Sequence, residues 1–509
     1  MPFAAGAKVL LMAPLAAKGI TCPTAGRFAP SCGTPRRERA WRVACRQTAG
    51  QNFRPEGVAP GQMPFQAEQV EARFLPAWFS CVAADWLQGP YLYALYAERG
   101  LSSMVIAKLF AIGFVSSAAL GSVAGRLCDR IGTRCGCQLY CACAGLSCLL
   151  MHSAALPILA FSRVLGGISD SLLYTAFEAW AIEEHKRQPF PTDASLRQLL
   201  SRMWSGSWLI AVLSGIVGNA VVSALPAAHG DFRLEAWKLK TSLAWGGPAA
   251  AFDLAAGFCV MGAILISVLW QPRSRDRAEG ETKPWADLRP SARPQRSRLF
   301  QRLQTAVREA VDCWAEGLRQ VRAGAMADPW VIRCGAVTAA FEGALFVFVF
   351  SWTPVVLNGT PNLAPHLGLV FSLFMASCAC GSWCFNALSA AWSPERLLQP
   401  LLTIAALTLL AAAYAAKTQS VLLALAAFAL FELCVGIYFP CISTVKSHVV
   451  PDSVRTLVYC LYRVPQNAFA LAVLLRVPSQ STALVVCAVA LLLVEAWAAC
   501  KRAPHTVGS

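Results

Sequence analysis

Twelve apolar runs of roughly twenty residues or more follow one another along this chain, and each is long enough to cross a bilayer as a helix. Lipid offers backbone amides no hydrogen-bond partner, so a spanning segment must satisfy them internally, and a helix does this within one segment. The runs are 76–96, 104–127, 136–156, 157–185, 197–223 and 246–270, then 330–357, 367–391, 397–416, 420–447, 456–477 and 481–500. The sixth is the least regular, with Gly247-Pro248 near its start and Asp253 inside. The fold expected is an all-α membrane protein with twelve transmembrane helices in two pseudo-symmetric six-helix bundles. The organisation expected is a basic leader (1–75), a first bundle (76–270), a central loop (271–328), a second bundle (329–500) and a short tail (501–509).

Composition rules out the main alternative. Hydrophobic residues make up 56% of the chain and charged ones 14%, against about 45–50% and about 25% in soluble domains. The net charge of +16 would suit a nucleic-acid binder, but the basic residues lie in the connections between apolar runs. That is a topology signal, with anionic phospholipid as the neighbour and no nucleic acid.

Two of the runs are not uniformly apolar. In 157–185, Arg163, Gly167, Asp170, Tyr174 and Glu178 recur at helical steps and share one face. In 420–447, Glu432, Gly436, Phe439, Ser443 and Lys446 do the same. A charge at membrane depth costs about 3 kcal/mol on insertion scales, so such stripes face a bundle interior or a wet cavity. One stripe in each half points to a polar pathway between halves.

The halves also repeat. A shift of 269 residues lays Arg163 and Gly167 on Glu432 and Gly436, and a shift of 261 lays Arg202 and Ser205 on Arg463 and Gln466. Asp85 in the first run and Glu342 in the seventh are acidic counterparts. A parallel repeat about an axis along the membrane normal places the substrate between the halves.

Orientation follows from lysine and arginine. Arg126, Arg130 and Arg134 flank one connection, Lys186, Arg187 and Arg197 another, and Lys501 and Arg502 follow the last run. The long central segment is also rich in arginine, whereas the connections on the other side are nearly uncharged apart from a balanced stretch at 224–242. Both termini and residues 271–328 are therefore expected in the cytoplasm. The central segment is too polar and proline-rich to pack at first, and an amphipathic surface helix is expected over 299–322. The leader holds Lys8, Lys18, Arg27, Arg36 and Arg37 with no acid before Glu38. It suits an organelle transit peptide or an unstructured basic tail. The expected location is the plasma membrane, with an organelle membrane as the alternative.

GRLCDRIGTR at 125–134 carries Gly125, Asp129, Arg130, Gly132 and Arg134 at the spacing of a tight inter-helix turn, where an acid can cap a helix or pair with arginine. It resembles the loop motif of the major facilitator superfamily. Further stretches are AADWLQGPYLYALY (83–96), FEAWAIEEH (177–185), FEGALFVFVFSWTPVV (341–356), ELCVGIYFP (432–440) and LYRVPQNAFA (461–470). These resemble the molybdate-anion transporter family of that superfamily, from about residue 74 to 500. The resemblance implies secondary-active uptake of the molybdate oxyanion by alternating access, with no cofactor. Sulfate or an organic anion on the same fold, and a non-transporting receptor or scaffold, are the alternatives.

The residues are compatible with an anion. A tetrahedral dianion needs converging donors, and the planar fork of arginine suits pairs of oxygens. Arg163, Arg202 and Arg463 are the candidate ligands, with Ser205 and Gln466 completing the shell. The competing role for each arginine is a structural ion pair, for example Arg202 with Glu178. Asp85, Asp170, Glu178, Glu342 and Glu432 are candidates for coupling protons or for pairing with those arginines. Gly89-Pro90 and Thr353-Pro354 are expected kinks. The cysteines of CGCQLYCACAGLSC (135–148) have spacings that do not close a zinc site within one helix, so they read as small buried hydrophobes and no metal is expected. No phosphate-cradling Gly-x-x-x-x-Gly-Lys-Ser/Thr run and no catalytic constellation appears, which argues against an ATP-driven pump or an enzyme.

The charge asymmetry makes a direct prediction. Trp285→Cys placed in the central segment is expected to resist a membrane-impermeant maleimide added outside sealed cells and to react after permeabilisation.

Overall fold

The computed structural model describes residues 62–188, 193–234, 239–270, 329–450, 455–477 and 479–500. Most of the leader, the central segment with the amphipathic helix expected at 299–322, and the tail lie outside these residues. Twelve long helices are present among the described residues, six in each half. The first half contains α1 (Gln62–Gln88), the short α2 (Leu92–Glu98), α3 (Ser103–Ile131), α4 (Thr133–Leu150), α5 (Leu156–Lys186), α6 (Asp193–Ala224) and α7 (Pro248–Leu269). The second contains α8 (Pro329–Gly359), α9 (Leu367–Ala391), α10 (Pro394–Thr418), α11 (Val421–Val449), α12 (Arg455–Arg476) and α13 (Gln480–Cys500). Eight of these helices are apolar and long enough to cross a membrane by composition alone.

Three local departures have physical causes. Helix α1 begins at Gln62, ahead of the apolar run expected from residue 76, because its first turns are amphipathic: Val70 and Phe74 are buried one turn apart. Gly89-Pro90 breaks the first span into α1 and α2, as a residue lacking the amide proton should. Pro354 does not break α8, which runs unbroken to Gly359. The balanced connection between α6 and α7 is a two-stranded antiparallel hairpin, β1 (Ala228–Leu234) with β2 (Leu239–Trp245), an addition to the all-helical expectation.

The duplication seen in the sequence is physical. In the first half α3 and α4 pack on α5, while α1 and α4 pack on α7; in the second, α9 and α10 pack on α11, while α8 and α10 pack on α13. One backbone-on-backbone crossing in each half is the equivalent of the other. A Cβ at Gly167 would lie 2.5 Å from the Gly113 carbonyl oxygen and 2.7 Å from the Ser117 nitrogen. A Cβ at Gly436 would lie 2.0 Å from the Cys378 carbonyl oxygen and 2.9 Å from the Ser382 nitrogen. Each crossing thus sets α5 or α11 directly on the backbone of its neighbour, with no side chain between them. Aromatic rings fill the rest: Trp180 stacks on Trp270 at 3.7 Å in one half, and Phe341 on Tyr438 at 3.7 Å in the other.

Between the halves, α6 packs on α9 and α3 on α12. At the end of the bundle away from the chain termini this interface is sealed. The Ser372 hydroxyl donates to the Val212 carbonyl at 2.8 Å, and a Cβ at Gly368 would lie 2.3 Å from the Gly215 carbonyl oxygen. Phe114 stacks on Phe346 at 4.5 Å, Phe110 and Tyr93 meet Phe350 at 5.3 and 5.5 Å, and Trp86 meets Phe371 at 5.8 Å.

Overpacking a tight contact costs about 1–3 kcal/mol. Gly436→Ala is therefore expected to lower the melting temperature of the purified protein. Gly257→Ala, where a Cβ would meet nothing within 4 Å, is expected to leave it unchanged.

Candidate functional site

The striped face of α5 is buried as its spacing predicts. Arg163, Gly167, Asp170 and Tyr174 are all shielded, and Glu178, near the terminal end, is half-buried. Tyr174 donates its hydroxyl to the Asp85 carboxylate at 3.1 Å, joining α5 to α1, and Asp170 lies within coulombic range of the same carboxylate. Two acids from two helices therefore share one buried polar cluster.

Arg163 is only 3% exposed, and neither its Nε nor its Nη2 has a hydrogen-bond partner. Glycine makes room for it. A Cβ at Gly113 would sit 2.6 Å from Nη2, and one at Gly166 would sit 3.2 Å from Nη1. Nε–H and Nη2–H lie along one edge of the guanidinium, the edge that grips two oxygens of an oxyanion side-on.

At the repeat-related position of α11, Glu432 is fully buried, with the Cys378 thiol of α9 beside its carboxylate and no ion-pair partner among the described residues. An unneutralised cation in one half thus corresponds to an unneutralised acid in the other. Further along α11, Lys446 donates to Glu342 of α8 at 3.2 Å, with both side chains about nine-tenths buried. Its ammonium also faces the rings of Tyr459 and Tyr462 on α12, at 5.7 and 6.0 Å. The Tyr462 hydroxyl donates in turn to the Val331 carbonyl at 2.6 Å, tying α12 to the first turn of α8. Glu342 is therefore committed to a lysine, not to an arginine.

The arginines aligned by the 261-residue shift are placed differently from the expectation. Arg202 is exposed and its Nη1 bonds the Glu71 carboxylate of α1, so its ion-pair partner is Glu71 and not Glu178. Glu71 lies in the amphipathic first turns of α1, outside the apolar run that the sequence offered. Ser205 is exposed and turns its hydroxyl back to the Arg202 carbonyl at 3.4 Å, whereas Gln466 is buried with Oε1 lacking a partner. Arg463 is half-buried, and its carbonyl accepts from Asn467 at 2.7 Å. The repeat therefore places these residues on equivalent helices but in unequal surroundings.

In the loop motif, α3 runs through Gly125, Asp129 and Arg130, whose side chains lie outside those described, and ends at Ile131. The turn is the single residue Gly132 at φ 94°, a conformation that favours glycine, and α4 starts at once. Arg134 donates to the Ser267 carbonyl at 3.2 Å and Thr133 to Glu183 at 3.1 Å, which pins the turn to α7 and α5.

Of the cysteines expected to be buried, Cys137, Cys141 and Cys148 are, whereas Cys143 is half-buried and Cys135 is exposed; the Cys141 sulfur lies 3.7 Å from that of Cys81. Among the described residues no group of His, Cys, Asp and Glu is placed to hold a metal ion. Sequence reasoning missed Glu71, and it missed that Lys446 and Glu342 pair. No spacing within one helix signals a partner on another.

Comparison with known proteins agrees with this architecture. A family described as twelve-span sugar transporters matches residues 62–290 and 309–437. A Xenopus laevis protein named molybdate-anion transporter is 32% identical over 413 residues, covering 79% of this chain and 78% of its own. A zebrafish (Danio rerio) protein of the same name is 32% identical over 79% of this chain and 78% of its own. In structure, the nucleoside transporter NupG superimposes with a TM-score of 0.56 at 9% identity, over 85% of this chain and 99% of its own. The inward-open xylose transporter XylE from E. coli superimposes with a TM-score of 0.55 at 13% identity, over 88% of this chain and 97% of its own. Those two likenesses establish the fold. The chain belongs to the molybdate-anion transporter family of the major facilitator superfamily.

Proposed function

We propose that this multi-pass membrane protein is a secondary transporter, not an enzyme, and that it carries molybdate into the cytoplasm across the plasma membrane. The relatives of the same name support the substrate. The observation on this chain that carries the reading is the Arg163 edge, buried, cradled by glycine and lacking a partner. A buried cation without a counter-ion is strongly destabilising, whereas a dianion delivered to that edge turns the cost into binding energy. Arg463 and Gln466 of α12 contribute from the second half, and Arg202 guards the terminal end through its pair with Glu71.

Alternating access accounts for the unequal ends. The seal of glycine and aromatic contacts lies away from the termini, so with the termini in the cytoplasm this state faces inward. Asp85 and Asp170, which share one buried cluster, and Glu432, fully buried at the repeat-related position, take the role of proton carriers, whereas Glu342 is held by Lys446. Substrate release then accompanies loss of a proton toward the cytoplasm.

Expressed in a host without its own uptake system, the chain is expected to raise cellular molybdenum at low external molybdate. Arg163→Lys keeps the charge but removes the fork. The loss of a charge-assisted hydrogen bond, about 1.5–3 kcal/mol, is expected to weaken apparent affinity roughly 10- to 150-fold. Unchanged metal content in cells with verified surface expression would remove molybdate as the substrate. Competition by sulfate but not molybdate would assign the other oxyanion.

A further inference from the structure

A second buried arginine lies outside the set discussed so far. Arg333, in the first turns of α8, is 7% exposed, and neither its Nε nor its Nη1 has a hydrogen-bond partner. The indole of Trp330, one turn earlier and 40% exposed, covers the guanidinium with 4.6 Å between Cζ and the ring centroid. Stacking occupies one face of the cation and leaves the in-plane Nε–H and Nη1–H donors unspent. This is how an arginine is held rigid for a planar grip on oxygens.

The surroundings favour an anion. Cys334, the next residue, lies within coulombic range of Lys446 and Glu342, and these two pair with each other at 3.2 Å. Their charges cancel, and among the described residues no acid forms an ion pair with Arg333. Val331 and Gly335 flank Arg333 and are locked to Tyr462: one accepts its hydroxyl at 2.6 Å, and a Cβ on the other would sit 2.5 Å from its ring. The turn that carries Arg333 is therefore fixed by α12 and does not depend on the arginine for its position.

Arg163 and Arg333 sit near opposite ends of the bundle. Arg163 is in the second turn of α5, which starts at the sealed end, and Arg333 is in the second turn of α8, which starts at the end of the termini. One unneutralised arginine in each half, one at each end, describes a path with two stations.

We propose that Arg333, held by Trp330, forms a second binding station for a tetrahedral oxyanion at the terminal end of the second bundle, where the substrate rests between the Arg163 site and the cytoplasm. This rests on the reading of the chain as an oxyanion transporter. A phospholipid phosphate presents the same tetrahedral chemistry at the same depth, so the test separates the two sources.

The purified full chain is titrated with molybdate, with its melting temperature as the readout, in neutral detergent with and without phosphatidylglycerol. Arg333→Gln is expected to keep the wild-type melting temperature without anion and to need about tenfold more molybdate for half of the stabilisation, in either detergent. Arg333→Lys, which keeps the charge, is the second variant should the glutamine fail to fold, and it is expected to show the same weakening because the fork is gone. In vesicles, the mutant KM is expected to rise for molybdate presented from the terminal side and to stay near wild type from the other side. Wild-type molybdate affinity and KM values in the mutants would overturn the station. Stabilisation by phosphatidylglycerol alone, lost on mutation, would assign the site to lipid and overturn it as well. If wild-type protein binds molybdate through Arg333 but drives no uptake, the station stands and the transport reading falls.

Discussion

Charge cannot be left alone in hydrocarbon, and the helices of this protein are arranged around that fact. Where a charge serves the fold it has been matched: Lys446 with Glu342 across α11 and α8, and Arg202 with Glu71 across α6 and α1. Where no ion pair forms among the described residues, at Arg163, Arg333 and Glu432, the side chain is at least nine-tenths buried, and two nitrogens of each arginine lack a hydrogen-bond partner. A fold selected for stability alone would remove such groups, since apolar replacements of similar volume are often neutral or stabilising. On the transport reading proposed above, the arginines are groups whose partner arrives from outside.

The duplicated architecture explains how such groups are kept in place. Gly167 and Gly436 let α5 and α11 lie directly on the backbones of α3 and α9, so the helix one turn from Arg163 or Glu432 is fixed by contacts that no side-chain rotation can relax. The same frame then carries opposite charge in the two halves. An arginine four residues before the glycine suits an anion, and a carboxylic acid four residues before its counterpart suits a proton. A different side chain at one repeat-related position changes the charge there while the crossing itself is kept. Symmetry of the scaffold and asymmetry of the chemistry are therefore compatible.

Much of this was legible in the sequence. Periodicity of Arg163, Gly167, Asp170 and Tyr174 located the buried face of α5, and the 269-residue shift located the equivalent crossing, because both depend on spacing within one helix. The break at Gly89-Pro90 was legible because proline acts locally, whereas Pro354 reads the same in sequence but sits in a helix that stays intact. Partners across helices were not legible. Arg202 was matched with Glu178 on charge and proximity in topology, but Glu71, in a polar turn that hydropathy excludes from the span, is the residue that reaches it. Arg333 escaped notice because a lone arginine near the start of an apolar run is the usual sign of a membrane boundary, and only its burial beneath Trp330 distinguishes it.

The seal between halves sets what the observed state can do. Its contacts are of two kinds: backbone on backbone at Gly215 and Gly368, and ring on ring at Phe114–Phe346, Phe110–Phe350, Tyr93–Phe350 and Trp86–Phe371. Apart from Ser372 to Val212 and the other polar contacts of its rim, it relies on van der Waals contact, which is individually weak and is regained when surfaces re-pack. An ion-pair lock would demand desolvation of two charges each time it formed. A seal of rings and glycines can open at lower cost. The charges that do pair, Lys446 with Glu342 and Arg202 with Glu71, are placed off that seal, so the motion that exposes the site to one side or the other leaves each pair intact within its own half.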